Sequence, residues 1–357
     1  MTTKKRVLSG MRSTGRLHLG NYVGALKTWI ELQEKYDCYF MLADWHALTS
    51  DYADPSNLKA TIRGNLMDWL AAGIDPERSV VFLQSLIKEH AELALILGMF
   101  TPTPWCERNP SYKDQIVQLA NKDLETYGFL GYPVLQAADI LVYRAHVVPV
   151  GEDQLAHLEI TREIARRVNF LHGGPIESGT NIPENPIFPE PEPFLSAIPK
   201  LPGFDGRKMS KSYDNAIYLT DTADQVWEKT RQMVTDPARV KRTDKGDPEK
   251  CSVYTYHKLF TPDRTEEIGS ACRGATIGCI DCKKILAGSV NAILEPMRER
   301  RAALESRPGT ATEILADGCD RARKEAEATM AVVRERLNLA GSVEDLAPEA
   351  TNPENSH

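Results

Sequence analysis

Two short segments carry residue types that can grip a phosphate chain. Lys208-Met209-Ser210-Lys211-Ser212 sets two ammonium groups three positions apart among small hydroxyls, shortly after Gly203 and Gly206. Such a loop suits the negative charge that develops on a leaving pyrophosphate. Far upstream, Arg16-Leu17-His18-Leu19-Gly20-Asn21 follows Thr14-Gly15 where a strand gives way to a helix. Glycines there let backbone N–H groups approach an anion, a helix start favours negative charge, and an imidazole can donate to a phosphate oxygen. Either segment alone is ordinary turn or surface chemistry. In this order, together, they read as two halves of a clamp for a nucleoside triphosphate.

Two further constellations carry chemistry. Tyr132, Gln136 and Asp139 are spaced i, i+4, i+7 and share one face of a helix starting near Pro133. Asp139 lies inside Ala137-Ala138-Asp139-Ile140-Leu141, and a carboxylate with such neighbours requires a dedicated partner. Cys251, Cys272, Cys279 and Cys282 form Cys-x20-Cys-x6-Cys-x2-Cys. Four thiolates with one tight pair suit Zn²⁺ or an iron–sulfur cluster. Cys38, Cys106 and Cys319 show no such spacing and read as ordinary thiols.

The elements that must position these groups follow from periodicity. Val7-Leu8-Ser9, Cys38-Tyr39-Phe40-Met41-Leu42, Val80-Val81-Phe82-Leu83 and Val147-Val148-Pro149-Val150 read as strands. Helical spacing over Asn21–Glu34, Leu58–Ala72 and Glu152–Val168 alternates with them. Alternating strands and helices predict an α/β fold with a doubly wound parallel sheet, whose ligands bind at the carboxyl ends of the strands. Seven prolines between residues 182 and 202 predict a stiff, extended linker. Beyond it, 220–305 is helical and charged, a long helix covers Thr312–Leu337, and the acidic residues 341–357 read as disordered.

The charge balance, 43 − 50 = −7, excludes a uniformly basic nucleic-acid binder. Such a partner would need a local patch, and Arg239, Lys241, Arg242, Lys245 and Lys250 supply a candidate. No apolar run approaches the ~20 residues of a membrane span. Met1–Arg6 leads straight into Val7-Leu8, which leaves no room for a signal peptide. A cytoplasmic location with free or metal-bound thiols is therefore expected.

Lys208–Ser212 matches the second signature of class I aminoacyl-tRNA synthetases, and His18-Leu19-Gly20-Asn21 resembles the first, with Asn in place of the final His. Ser9–Gly15, Leu42–Thr49, Tyr132–Leu141 and Val148–Gln154 extend the likeness over nearly all of residues 6–340, and there the chain resembles bacterial tryptophanyl-tRNA synthetases. The cysteine motif resembles that of a subset with a [4Fe–4S] cluster, whose first gap is two residues longer; zinc is the runner-up.

This resemblance implies a Rossmann-like catalytic domain over 1–200 and a connection with the lysine loop at 201–219. It also implies a helical anticodon-binding domain over 220–308 and a helix at 309–340 packing back between the two. It implies that tryptophan is activated by ATP with Mg²⁺ and transferred to tRNA(Trp) by a homodimer. His18 and Asn21 would contact the phosphates, Lys208 and Lys211 the leaving pyrophosphate. Arg12, Ser13, Thr14, Gly20, Met209, Ser210 and Ser212 would line the nucleotide, and Gly151, Glu152 and Asp153 the adenosine. Asp139 would accept the indole N–H, while Tyr132, Gln136, Gln154 and His46 complete the amino-acid pocket. Tyr-x-x-x-Gln-x-x-Asp is also how tyrosine enzymes of this subclass hold their substrate, so a tyrosyl-tRNA synthetase is the nearest alternative. A small-molecule nucleotidyltransferase and a non-catalytic RNA-binding or metal-sensing relative are the more distant ones.

Overall fold

The computed structural model describes residues 4–118, 123–178, 180, 182–195, 201–207, 209, 214–307 and 309–347. Its centre is a five-stranded parallel sheet of β1 (Arg6–Arg12), β2 (Asp37–Ala43), β3 (Ser79–Leu83), β4 (Val147–Val150) and β5 (Glu192–Leu195), in the order β3-β2-β1-β4-β5. The first four are the strands expected from the apolar runs. The fifth corrects the proline-linker reading: Glu192–Leu195 pairs with Val147–Val150, and Pro193 is tolerated because the strand is at the sheet edge.

Alternate strand residues feed two apolar layers, as the period of two requires. Val7, Cys38, Phe40, Leu42 and Val81 face one side, with Trp29 and Trp69 packed edge-on at 5.0 Å between ring centroids. Leu8, Tyr39, Met41, Val80 and Phe82 face the other. There they meet α3 (Glu89–Phe100), which follows α1 (Asp44–Asp51) and α2 (Leu58–Ala72), and then α4 (Tyr132–Val142) and α5 (Leu155–His172). The first layer continues into Val253, Tyr256, Leu286 and Val290 of the helical region. That region comprises α6 (Ala223–Gln232), α7 (Ser252–Phe260), α8 (Thr265–Arg273) and α9 (Cys279–Glu305).

α9 reaches back to the sheet layer. Arg300 donates to the Ala71 carbonyl at 2.6 Å, and Arg301 pairs with Asp68, both acceptors lying on α2. The last long helix, α10 (Thr310–Arg336), lies against β3. It approaches so closely at Gly318 that a Cβ there would stand 1.9 Å from the Val81 carbonyl oxygen. After it, Glu344–Leu346 forms a 3₁₀ turn, while 348–357 lie outside the described residues. Among the described residues no helix is long and apolar enough to cross a membrane.

Candidate active site

The sheet opens where its strand order reverses. β1 and β2 are in register over all of Arg6–Arg12, whereas β1 and β4 share only the Val7–Val147 pair. Their carboxyl ends therefore diverge, leaving a crevice at the topological switch point. A cleft of about 1030 Å³ occupies it, lined by the ends of β1 and β4, the His18 turn and α4.

The His18 turn is built by reciprocal capping. The Asn21 N–H donates to His18 Nδ1 at 3.3 Å, and the His18 N–H donates to Asn21 Oδ1 at 3.0 Å. The expected continuous helix from Asn21 is instead a single turn, Leu19–Asn21, a π-helical stretch, Tyr22–Leu26, and then Lys27–Leu32. The turn is anchored to the segment just beyond the lysine motif. Leu19 N–H donates to the Ile217 carbonyl at 2.9 Å, and Leu219 N–H to the Leu17 carbonyl at 3.0 Å. Gly20 has no room for a side chain: a Cβ would lie 2.9 Å from the His18 ring and 3.4 Å from the Met209 sulfur. The two clamp segments thus meet. Lys208, Ser210, Lys211 and Ser212 themselves lie outside the described residues.

α4 starts after Gly131, with Pro133 in the first turn where its missing N–H costs nothing. Its Tyr132, Gln136 and Asp139 face the cleft while Ala137, Ala138 and Leu141 are wholly buried. Asp139 is 1% exposed and surrounded by donors. His46 Nε2 lies 2.6 Å from its Oδ2, His90 Nδ1 lies 2.6 Å from its Oδ1, and Gln84 Nε2 donates to both oxygens at 2.9 and 2.8 Å. Burial pushes the Asp139 carboxyl up, but His46 and His90 outweigh it and bring its pKa down to about 2. The carboxylate is therefore an anion throughout the neutral range.

Because an ionised carboxylate only accepts, His46 carries a proton on Nε2. Its Nδ1 is buried without a hydrogen-bond partner, as is Gln136 Oε1. The Tyr132 ring packs on His46 at 4.2 Å between centroids. Burial raises the pKa of the Tyr132 hydroxyl, against the opposing charge of Arg12, so the phenol stays protonated. The cleft floor therefore offers one fixed negative charge and, above it, acceptors that await a donor.

Residues 1–295 match the family model for class I tRNA synthetases of the tryptophan and tyrosine (W and Y) type. The chain belongs to that family. The tryptophan–tRNA ligase of Thermotoga maritima is 48% identical over 337 residues, which covers 94% of this chain and 99% of that one. The ligase of Aquifex aeolicus is 42% identical over 405 residues, covering 94% and 100%. The crystal structure of tryptophanyl-tRNA synthetase from Campylobacter jejuni complexed with ADP and tryptophan matches with a TM-score of 0.80 at 36% identity, covering 94% and 100%.

Within this family fold, the cleft gathers Arg12, His18, Gly20, Asn21, His46, Tyr132, Gln136, Asp139, Gly151, Glu152, Gln154 and Met209 of the residues singled out from sequence. Ser13 and Thr14 are not on its wall: Ser13 is buried with an unpartnered Oγ, and Thr14 is exposed. Gly151 begins a 3₁₀ turn, Glu152–Gln154, ahead of α5, so the expected helix from Glu152 starts at Leu155. The Asp153 side chain is not described.

Sequence reasoning missed Gln84, His90 and Tyr143. Gln84 immediately follows β3, a position at the carboxyl edge of the sheet that its place in the order would have flagged. Its Oε1 accepts from the Trp45 and His46 N–H groups at the start of α1, at 3.1 and 3.4 Å. His90 and Tyr143 lie in apolar surroundings that give no signal in sequence.

The four cysteines come from the ends of three helices: Cys251 precedes α7, Cys272 lies in the last turn of α8, and Cys279 and Cys282 open α9. Burial raises the Cys282 thiol to about 12, and Cys251, Cys272 and Cys279 each add to the shift. Among the described residues, however, no three His, Cys, Asp or Glu side chains are grouped as a metal site. Arg239 Nη1 lies 3.5 Å from Cys272 Sγ, and the Gly246 N–H donates to the Cys272 carbonyl at 3.1 Å. The basic stretch is thus fastened to the cysteines, although Arg239 itself is 8% exposed and its guanidinium also serves the Arg242 and Ile277 carbonyls. Arg239 is therefore a structural member of the patch rather than part of its surface.

Proposed function

We propose that this chain is a tryptophan–tRNA ligase, which activates tryptophan with ATP and transfers it to tRNA(Trp). The observation that carries this reading is Asp139, a buried anion on the cleft floor, set among donors at the switch point of the sheet. An indole N–H can only donate, so a permanent acceptor suits it. Above Asp139, the unpartnered His46 Nδ1 and Gln136 Oε1 would accept from the substrate's ammonium group, beside Tyr132 and Gln154. This orients the carboxylate toward the nucleotide.

The reaction needs no protein nucleophile. The tryptophan carboxylate attacks the α-phosphate of ATP, the bond to the bridging oxygen breaks, and pyrophosphate leaves with its electron pair. The adenylate then passes its acyl group to a terminal ribose hydroxyl of the tRNA. What the protein supplies is position and charge. His18 accepts at Nδ1, which places the proton of its neutral ring on Nε2, where it can be donated to a phosphate. The Asn21 N–H holds that ring, and Gly20 leaves it room, since a Cβ there would stand 2.9 Å from it. Gly151, Glu152 and Asp153 would hold the ribose and adenine. Arg12, Met209, Ser210 and Ser212 would enclose the triphosphate, without the expected Ser13 and Thr14, and Lys208 and Lys211 would neutralise the departing pyrophosphate. Mg²⁺ bound to the ATP phosphates would screen their charge.

The finer readings follow the same residues. The region 220–308 would bind the anticodon, using Lys241, Arg242, Lys245 and Lys250 beside the cysteines, with 309–340 as the returning helix and 201–219 as the connection. The Cys-x20-Cys-x6-Cys-x2-Cys spacing supplies soft thiolate donors of the kind that hold a [4Fe–4S] cluster, with Zn²⁺ the alternative, and Arg239 stands 3.5 Å from one of them, Cys272 Sγ. Among the described residues the four side chains are not gathered as a ligand set. Leu95 and Met99 of α3 and Phe170 and Leu171 of α5 are exposed, which supports a homodimer. Seven cysteines without a disulfide fit a cytoplasmic enzyme. Charging of a tRNA(Trp) transcript with radiolabelled tryptophan tests the reading; stable acylation with tyrosine and none with tryptophan would replace it by the tyrosine enzyme.

A further inference from the structure

His90 is a side chain outside the cleft wall that nonetheless governs its floor. It is 0% exposed and does not line the cleft, yet its Nδ1 lies 2.6 Å from Asp139 Oδ1 and its Nε2 lies 2.8 Å from the Tyr143 hydroxyl. The carboxylate only accepts, so Nδ1 carries a proton. With the ring proton on Nδ1, Nε2 is the acceptor and the Tyr143 hydroxyl the donor. Burial and neighbouring charges hold that phenol well above its ordinary pKa, so its proton stays in place. A directed chain results, from Tyr143 through His90 to Asp139.

The two imidazoles on Asp139 are not equivalent. His46 lines the cleft and is packed against Tyr132, whereas His90 is enclosed by Phe82 and Tyr143, at 6.0 and 5.3 Å between ring centroids. His46, Gln84 and His90 already direct four hydrogen bonds at the two oxygens, as many as a carboxylate accommodates. An arriving indole N–H must take the place of one of them. The donor that can yield is the one on the cleft side, and the donor that must stay is the enclosed one.

We propose that His90, its tautomer set by Asp139 and its Nε2 anchored on Tyr143, is a positioning residue for tryptophan specificity: it holds the Asp139 carboxylate in place while His46 gives way to the indole N–H. This rests on the assignment of Asp139 to the indole N–H, and the test separates the two. Tryptophan is compared with its benzothienyl analogue, which has sulfur in place of the N–H, in ATP–pyrophosphate exchange. The wild-type enzyme should prefer tryptophan in kcat/KM; equal use of both would remove the assignment of Asp139 itself.

Given that preference, His90→Leu should reduce it by about tenfold or more, through KM for tryptophan, with KM for ATP changed less than about twofold. His90→Asn, whose amide nitrogen can stand where Nδ1 stood, should keep most of it. A purely structural role would lower both substrates alike and leave their ratio intact. A folded His90→Leu enzyme with the wild-type ratio overturns the proposal, and so does an Asn variant as damaged as the Leu variant. If His90→Leu does not fold, Tyr143→Phe carries the test: a fall in the ratio of about threefold supports the proposal, and a wild-type ratio overturns it.

Discussion

Asp139→Asn removes one charge and inverts one hydrogen-bonding group, with nearly the same volume. In the native site both oxygens accept, from His46 and His90 at 2.6 Å and from Gln84. An asparagine presents one oxygen and one NH₂, so one imidazole N–H must face a donor. His90 can answer only by moving its proton to Nε2, which turns the Tyr143 hydroxyl from donor to acceptor and takes the acceptor from the hydroxyl's own proton. A buried polar group left unpaired costs about 1–3 kcal/mol, and that much is expected from global stability. Catalysis loses in addition the charged acceptor for the indole, about 1.5–3 kcal/mol, or about 10- to 150-fold in kcat/KM for tryptophan. The assay is steady-state ATP–pyrophosphate exchange at saturating ATP and pH 7.5, beside thermal unfolding of the same preparations. Because the Asp139 pKa lies near 2, protonation of this carboxyl should add no acid limb to the KM for tryptophan above pH 5 in the wild type. A loss of kcat/KM below about threefold in a folded Asp139→Asn enzyme would refute the reasoning.

Further expectations come from other parts of the fold. Gly318→Ala puts a methyl group 1.9 Å from the Val81 carbonyl oxygen, so α10 must lift from β3; a loss of about 1–3 kcal/mol should appear in urea unfolding. Asp68 is buried and its pKa is raised to about 6, because burial outweighs Arg301. Its contribution to stability is therefore full below the ordinary carboxylate range and is lost as pH rises through about 6. Asp68→Asn should abolish that decline, at most about 3 kcal/mol between pH 4 and 7, in urea midpoints measured across the range. Protein purified without oxygen should be brown and hold about four irons per chain, and Cys282→Ser should lose both; stoichiometric zinc in a colourless protein would replace the cluster.

The sheet was legible because buried parallel strands are short apolar runs bounded by turns, and Cys38–Leu42 and Val80–Leu83 have that form. β5 was hidden by Pro191 and Pro193, which read as linker; only its place at an edge, where N–H groups need not all pair, makes it a strand. The π-helical stretch at Tyr22–Leu26 has no sequence signal, since the same apolar spacing fits an unbroken helix. At the site, Asp139 stood out as a charge in an apolar helix. Its supporters did not: a lone histidine in α3 and a tyrosine just after α4 gain meaning only when the fold brings them within hydrogen-bonding distance. The continuity of one core layer from Trp69 to Val290 was equally invisible, because it depends on α9 packing against α2.

The central claim is that the cleft at the end of β1 and β4 activates tryptophan. Amino-acid-dependent ATP–pyrophosphate exchange, run with tryptophan and with tyrosine on one preparation, tests it most directly. The account predicts exchange driven by tryptophan, with kcat/KM exceeding that for tyrosine by about 10³-fold or more, as a site that pairs a buried anion with one donor should achieve. Exchange driven by tyrosine alone, or none with either amino acid, would contradict it.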